Sequence, residues 1–153
     1  MSATETIDFT CPQCKEKSQM TIYKAINATQ DPEARKALLE GQINQFVCGK
    51  CGQKGYLLVS ILYHDMNRRF LVQYHPFPAV QSEEFLKDFD EAGRPRLKSS
   101  KLAGEIDRKL KYFNEMHVVF DMAELMRYIV FRERLHDLQH QKKSEDAGGQ
   151  GGK

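Results

Sequence analysis

The chain has no tryptophan, no long apolar run and no large excess of either charge. No stretch approaches the roughly 18 apolar residues that a membrane-spanning helix needs. The longest candidate, residues 56–63, is interrupted by Ser60. Residues 1–10 lack the basic stretch followed by an apolar run that marks a secretory signal, so the sequence predicts a cytoplasmic protein with no membrane partner. The formal net charge is only +2, which argues against a protein that coats nucleic acid or an anionic surface through its overall field.

What is present is the composition of a globular protein. At 41% hydrophobic and 29% charged, 153 residues suffice for one domain, or one domain with an appendage, that buries its core without disulfides.

Cysteine is scarce but patterned. All four cysteines fall in two C-x-x-C pairs, Cys11-Pro12-Gln13-Cys14 and Cys48-Gly49-Lys50-Cys51, with 33 residues between Cys14 and Cys48. Two residues between ligands let a tight turn aim both sulfurs at one tetrahedral centre. In a reducing compartment such pairs read as metal ligands rather than disulfides. The expected cofactor is one structural zinc ion held by Cys11, Cys14, Cys48 and Cys51. Four thiolates leave no open coordination position, so the site should fold the chain rather than catalyse. Two rival readings stand beside it: buried thiols without a metal, and a redox dithiol, which usually opens a helix in a parallel α/β fold. Gly49 and Gly52 relieve the second turn, and Gly52 with Gly55 closes it. Lys15, Lys17, Lys50 and Lys54 flank the sulfurs and can offset their charge. Lys50, Gly52 and Asn44 are the candidate supporting residues around the ligands.

The surrounding pattern predicts an α+β fold. Ile7 and Phe9 alternate up to the first pair and residues 20–23 have β character, so the first pair sits at a hairpin tip. Asp31-Pro32 opens a short helix over 32–40, with Gly41 after its end. Residues 56–63 read as a strand buried on both faces, 64–68 as a polar turn and 69–74 as the returning strand. Pro76 and Pro78 then end the sheet. The expected units are a zinc-ribbon-like β domain over 1–78 with an inserted helix, a helical part over 79–141 packed on it, and a disordered tail over 142–153. Within the second unit, Ser82 starts a short helix near 85–89, and Ser99 or Ser100 caps another over 101–112. Residues 117–120 are a short strand. Asp121 with Glu124 opens a last helix to about 141, with Leu125, Ile129, Leu135 and Leu138 near one face.

With the cysteine pairs, a set of short runs is notable: Tyr23-Lys24-Ala25-Ile26-Asn27, Asp31-Pro32, Leu39-Glu40-Gly41, Asn44-Gln45-Phe46, and Leu62-Tyr63-His64-Asp65. Together these resemble the CpXC domain family of bacterial proteins, clearly over about residues 7–78 and more faintly through Val118-Val119-Phe120-Asp121 and the helix after it. The second pair departs from the family pattern by carrying Gly49 where proline is common, which leaves the ligands intact. The resemblance implies zinc binding and a bacterial source. It supplies no reaction.

Three other features carry titratable or charged groups in notable spacing. His64 and Asp65 could do acid–base work, but adjacent strand residues point to opposite faces, and a solvated turn explains them better. Arg94, Arg96, Lys98, Lys101, Arg108, Lys109 and Lys111 outnumber Glu105 and Asp107 and give residues 94–111 a local charge of +5. That segment could touch nucleic acid or an acidic protein, although a solvated face is the commoner explanation. His136 and His140 lie four apart on a helix with no evident third ligand, and read as a surface pair. The sequence therefore favours a non-enzymatic zinc-binding interaction protein with a protein partner. A nucleic-acid-binding zinc ribbon and a redox-sensitive zinc–thiol switch are the alternatives.

Overall fold

The computed structural model describes residues 2–96 and 108–148. Its centre is a five-stranded mixed sheet made from β1 (Ala3–Thr10), β2 (Lys17–Asn27), β5 (Ile61–Asp65), β6 (Phe70–Tyr74) and β7 (His117–Val119), in the order β1-β2-β5-β6-β7. β1/β2 and β5/β6 are antiparallel hairpins, whereas β2/β5 and β6/β7 are parallel joins. A separate antiparallel pair, β3 (Gln45–Val47) and β4 (Lys54–Tyr56), forms a second, smaller sheet.

Period-two alternation decides which way the central strands face. Ile61, Tyr63 and Asp65 of β5 are buried and lie opposite Tyr74, Val72 and Phe70 of β6. This face packs against α1 (Pro32–Leu39) and α3 (Met122–Gly148). Ala34 and Leu38 of α1 meet Leu125 and Ile129 of α3 in one core with Ile26, Tyr63, Phe70 and Val72. Each fully buried Leu, Ile or Phe contributes about 1.5–3 kcal/mol by leaving water. β7 and α3 thus share a sheet and a core with the segment before residue 78. On the opposite face a 3₁₀ segment, Arg108–Glu115, lies against β6, and Tyr112 meets His64 Nε2 through its hydroxyl at 2.8 Å. His64 and Asp65 do point to opposite faces, and burial holds the His64 imidazole below its ordinary pKa.

Several sequence signals act as expected. Asp31 caps α1 by accepting from the Ala34 amide at 3.0 Å, and Pro32 occupies its first turn. Gly41 follows the helix in a left-handed conformation, φ 71°. Ser82 caps the short helix α2 (Glu83–Leu86), and Asp121 accepts from the Glu124 amide at 3.0 Å to start α3.

Others are corrected. Residues 56–63 are not one strand. β4 ends at Tyr56, residues 57–60 are irregular, and Leu58 is 67% exposed. The polar turn is shorter than expected because His64 and Asp65 belong to β5. Leu135 and Leu138 do not share the buried face of α3: nine residues is two and a half helical turns, so Leu138 projects opposite Ile129 and is 53% exposed. α3 runs to Gly148 rather than ending near 141. Nothing in Lys142-Lys143-Ser144-Glu145-Asp146-Ala147 breaks a helix, whatever its polarity. The helix expected over 101–112 falls partly outside the described residues, and the part within them is 3₁₀.

One polar contact ties the two helices together. Arg35 of α1 donates through Nε and Nη2 to both carboxylate oxygens of Glu133 on α3, at 2.7 and 2.5 Å. Tyr63 Oη donates to the same carboxylate at 3.4 Å. Glu133 is 7% exposed. Removing one member of such a pair leaves a charge buried without its counter-ion. Glu133→Ala should therefore lower the unfolding free energy by about 3 kcal/mol in urea titrations. The double variant Arg35→Met/Glu133→Leu should recover most of that loss. Equal destabilisation of the single and double variants would contradict the assignment.

Candidate metal centre

The two C-x-x-C pairs sit at the tips of the two hairpins, one between β1 and β2 and the other between β3 and β4. Their backbones are near duplicates. In the first loop the Cys11 amide donates to the Glu16 carbonyl at 2.8 Å, and the Lys15 amide donates back to the Cys11 carbonyl at 3.0 Å. In the second the Cys48 amide donates to the Gln53 carbonyl at 2.8 Å, and the Gly52 amide to the Cys48 carbonyl at 2.9 Å. Lys15 and Gly52 fill the same place in each loop and share the left-handed region, with φ of 61° and 72°. Aligning the two motifs on Cys11 and Cys48 would have exposed this from sequence, because Lys15 falls on Gly52.

The loops bring the four sulfurs together. Cys11 Sγ lies 3.7 Å from Cys51 Sγ, Cys14 Sγ lies 3.5 Å from Cys48 Sγ, and all four fall within 4.8 Å of one another. A disulfide would need about 2.05 Å, and all four thiols are free. A tetrahedral ion with metal–sulfur bonds of about 2.3 Å has sulfur–sulfur edges of about 3.8 Å. The quartet fits such an ion in donor type, number and spacing. Cys11 and Cys48 are buried, Cys14 is half-buried and Cys51 is exposed.

The electrostatics of the quartet are uneven. The Cys51 and Lys50 amides point at Cys48 Sγ and, against some desolvation, lower its pKa to about 6; the Cys14 and Cys11 thiols add to the lowering. The Gln53 amide pulls the Cys51 thiol down, but desolvation and the sulfurs of Cys14, Cys11 and Cys48 outweigh it and raise Cys51 to about 12. One thiolate in the cluster thus opposes the next. A central cation reverses that opposition by attracting all four charges.

The expected supporting residues divide. Gly52 shapes its loop through its positive φ. Lys50 contributes its amide to Cys48, while its ammonium pairs with Glu16 at 3.0 Å and links the two loops across the surface. Both ends of that pair are exposed, so it contributes about 0–1 kcal/mol. Asn44 is spent elsewhere. Its Oδ1 accepts from the Tyr23 amide at 2.7 Å and its Nδ2 donates to the Tyr23 carbonyl at 3.0 Å. Its own carbonyl accepts from the Leu57 amide at 2.8 Å. Asn44, 5% exposed and at φ 55°, therefore fastens the base of the small hairpin to β2.

Sequence reasoning missed an aromatic contact. Phe46 of β3 packs on Phe9 of β1, ring centroids 4.5 Å apart, and covers Gly55, its partner across the small sheet. Gly55 is thus a strand residue rather than part of the turn.

Of the basic segment, Arg94, Arg96 and Lys111 are exposed, and Arg96 Nε donates to the Phe89 carbonyl at 2.8 Å. Arg108 and Lys109 lie on the 3₁₀ segment. Lys98 and Lys101 lie outside the described residues. The rings of His136 and His140 stack at 3.8 Å. Among the described residues, the cysteine quartet is the one group of three or more His, Cys, Asp or Glu side chains placed to hold a metal ion, and no helix is long and apolar enough to cross a membrane.

A mixed α+β fold that joins two hairpins through a four-cysteine cluster defines a protein with a candidate metal centre. The chain belongs to the CpXC family: the family's sequence model, described as CpXC protein, matches residues 9–139. The match runs past the first 78 residues into α3. No curated protein and no solved structure gives a significant match.

The three glycines near the second loop should respond differently to alanine. A Cβ on Gly49 meets nothing within 4 Å. Gly52→Ala places a side chain at φ 72° and should cost about 1–2 kcal/mol. A Cβ on Gly55 would lie 2.7 Å from Phe46 Cε1, and that ring is backed by Phe9. Thermal melts should rank Gly49→Ala near the parent and both others below it. A Gly55→Ala melt matching the parent would show that Phe46 is not held against Phe9.

Proposed function

We propose that this chain is a non-enzymatic, zinc-binding interaction protein in which one closed four-thiolate site locks two hairpins together. One observation carries the reading: two loops of matching backbone geometry, far apart in sequence, bring four sulfurs within 4.8 Å of one another. Four sulfur donors in that geometry suit zinc. The ion would supply no open position to a substrate. Its contribution would be to folding, because apparent zinc affinities of about 10–16 kcal/mol in small modules match or exceed a domain's net stability.

Purified protein should carry one zinc per chain by elemental analysis, with all four thiols shielded from alkylation until the metal is chelated. Acidification should release the ion, since each thiolate must take a proton. Cys11→Ser and Cys48→Ser should lose zinc together with folded signal. Zinc-free protein with an unchanged melting temperature, or turnover of a substrate, would overturn the reading.

The exposure of Cys51 favours a second reading, a redox-sensitive site. Hydrogen peroxide could oxidise two thiolates to a disulfide, itself being reduced to water, and the ion would leave. Reversible zinc release at micromolar peroxide supports this reading. Resistance of all four thiols removes it.

A further inference from the structure

α3 has two apolar faces. One carries Leu125 and Ile129 into the core, with Glu133 buried a turn further on. The other points away from it. Tyr128, Phe131, Leu135 and Leu138 follow one another at intervals of three, four and three residues, the a and d spacing of a heptad. Ile129 and Glu133 then fall at b and f, on the opposite side of the helix, so the core that buries them leaves the a/d stripe outside. Phe131, Leu135 and Leu138 are 56%, 38% and 53% exposed. Tyr128 is half-buried and stacks on His117, with ring centroids 4.0 Å apart. Glu124, one step before Tyr128 in the same series, closes the stripe at its N-terminal end. The four apolar residues span about 15 Å of helix at 1.5 Å per residue.

The flanks of this stripe carry one sign of charge. Arg127 and Arg134 lie along one side at g, and Arg132 along the other at e. The remaining flanking positions between 127 and 141 are Gln139 and Gln141, which are neutral. Arg132 Nη1 donates to Tyr128 Oη at 3.1 Å, and its guanidinium lies 4.9 Å from the Phe70 ring centroid. It is thus held beside the stripe without a carboxylate. Arg127 and Arg134 are exposed, and neither forms an ion pair among the described residues. The nearby acids are engaged elsewhere, Glu133 with Arg35 and Asp137 with Arg68 and His136.

These charges choose among occupants. In a parallel pair of copies, Arg127 of one chain would face Arg132 of the other, and an antiparallel pair would bring the two arginine-bearing g sides together. Like charges so placed repel, which disfavours a second copy. Nucleic acid would answer the arginines but leave the apolar side chains between them uncovered. A helix with leucine-like residues at the same spacing and acidic residues on its flanks answers both features.

We propose that the outer face of α3 docks an acidic amphipathic helix of another protein, with Phe131, Leu135 and Leu138 in the seam and Arg127, Arg132 and Arg134 beside its carboxylates. The assignment rests on the reading of the chain as an interaction protein and names the chemistry of its partner.

The test uses the full zinc-loaded chain with ¹³C-methyl-labelled leucine and two amidated helical peptides of four heptads. Both carry leucine at a and d; one has glutamate at e and g, the other lysine. The glutamate peptide should shift the Leu135 and Leu138 methyl signals saturably and bind at least tenfold more tightly than the lysine peptide, by a margin that shrinks as salt rises. Arg127→Glu/Arg134→Glu should remove that preference. Leu135→Gln/Leu138→Gln should weaken the glutamate peptide at least tenfold and leave the melting temperature of the unliganded chain unchanged, since both side chains already face water.

Unmoved methyl signals at millimolar peptide, or equal affinity of the wild-type chain for both peptides, would overturn the proposal. So would methyl shifts that follow protein concentration without peptide, which would assign the stripe to a second copy. A lowered melting temperature of the leucine variant would overturn it too, by assigning the stripe to a segment of this chain. Shifts produced by a single-stranded RNA in place of the glutamate peptide would assign the face to nucleic acid instead. A chain that ignores both peptides yet carries one zinc loses this docking assignment alone. A folded, zinc-free chain that still prefers the glutamate peptide keeps it and loses the metal reading.

Discussion

The small hairpin has almost no core of its own, and the four sulfurs gather where its tip meets the first hairpin. β3 and β4 have three residues each, and their side chains are exposed or half-buried throughout. An isolated two-stranded hairpin is marginal in water at best. Beside the exposed Lys50–Glu16 pair, it is joined to the main sheet by the Phe46–Phe9 ring pair, the Asn44–Tyr23 amide pair and the sulfur cluster. The first two are worth a few kcal/mol together. A metal ion at the third would exceed both. The main sheet differs, because its face against α1 and α3 is a dry core braced by the Arg35–Glu133 pair. Burial in this fold is thus unevenly distributed, between a half with an apolar core and a half with almost none of its own.

How much of this the sequence disclosed follows from the range of the forces involved. Local chemistry was legible. The cap at Asp31, the proline at the head of α1, the cap at Asp121 and the hairpin around Cys11 and Cys14 each depend on a few adjacent residues. The convergence of the four sulfurs was legible for another reason: two C-x-x-C pairs with no cysteine left over are a spacing that suits one shared metal ion. Contacts that depend on distant partners were not. The run from Tyr56 to Tyr63 looks like one strand because seven of its eight residues are apolar. The chain instead leaves one sheet at Tyr56 and enters another at Ile61, and only the pairing partners decide where the break falls. Leu135 and Leu138 look like core because they are leucines on an amphipathic helix. The sheet beneath α3 covers the stripe through Leu125 and Ile129 and leaves them in water.

Asn44 shows the same limit at the site. Its position four residues before Cys48 suggested a place beside the metal, but its left-handed backbone turns the amide toward Tyr23. β5 pairs with β2 only from Ala25 to Asn27, so Tyr23 has an open edge that β5 does not reach. The asparagine side chain fills in for a missing strand there. No local property of the residue announces that. It follows from where β5 stops.

The hairpin also links the cysteine cluster to a groove of about 490 Å³ between its base and the start of α3. Its tip holds Cys48 and Cys51, and its base is Asn44 and Leu57, joined by a backbone hydrogen bond. Ile43 and Leu57, on either side of that base, both line the groove, and Tyr56, the last residue of β4, lies on its rim. One wall of the groove is therefore the root of the element that carries Cys48 and Cys51. Strain or release at the tip has only a three-residue ladder to cross before it reaches that wall, whereas the opposite wall belongs to the head of α3 and the main core. An ion that orders the tip would also steady that wall of the groove. Without it, the wall carrying Tyr56 and Leu57 would be the first part of the groove to loosen, while Met122 and Met126 stayed in place.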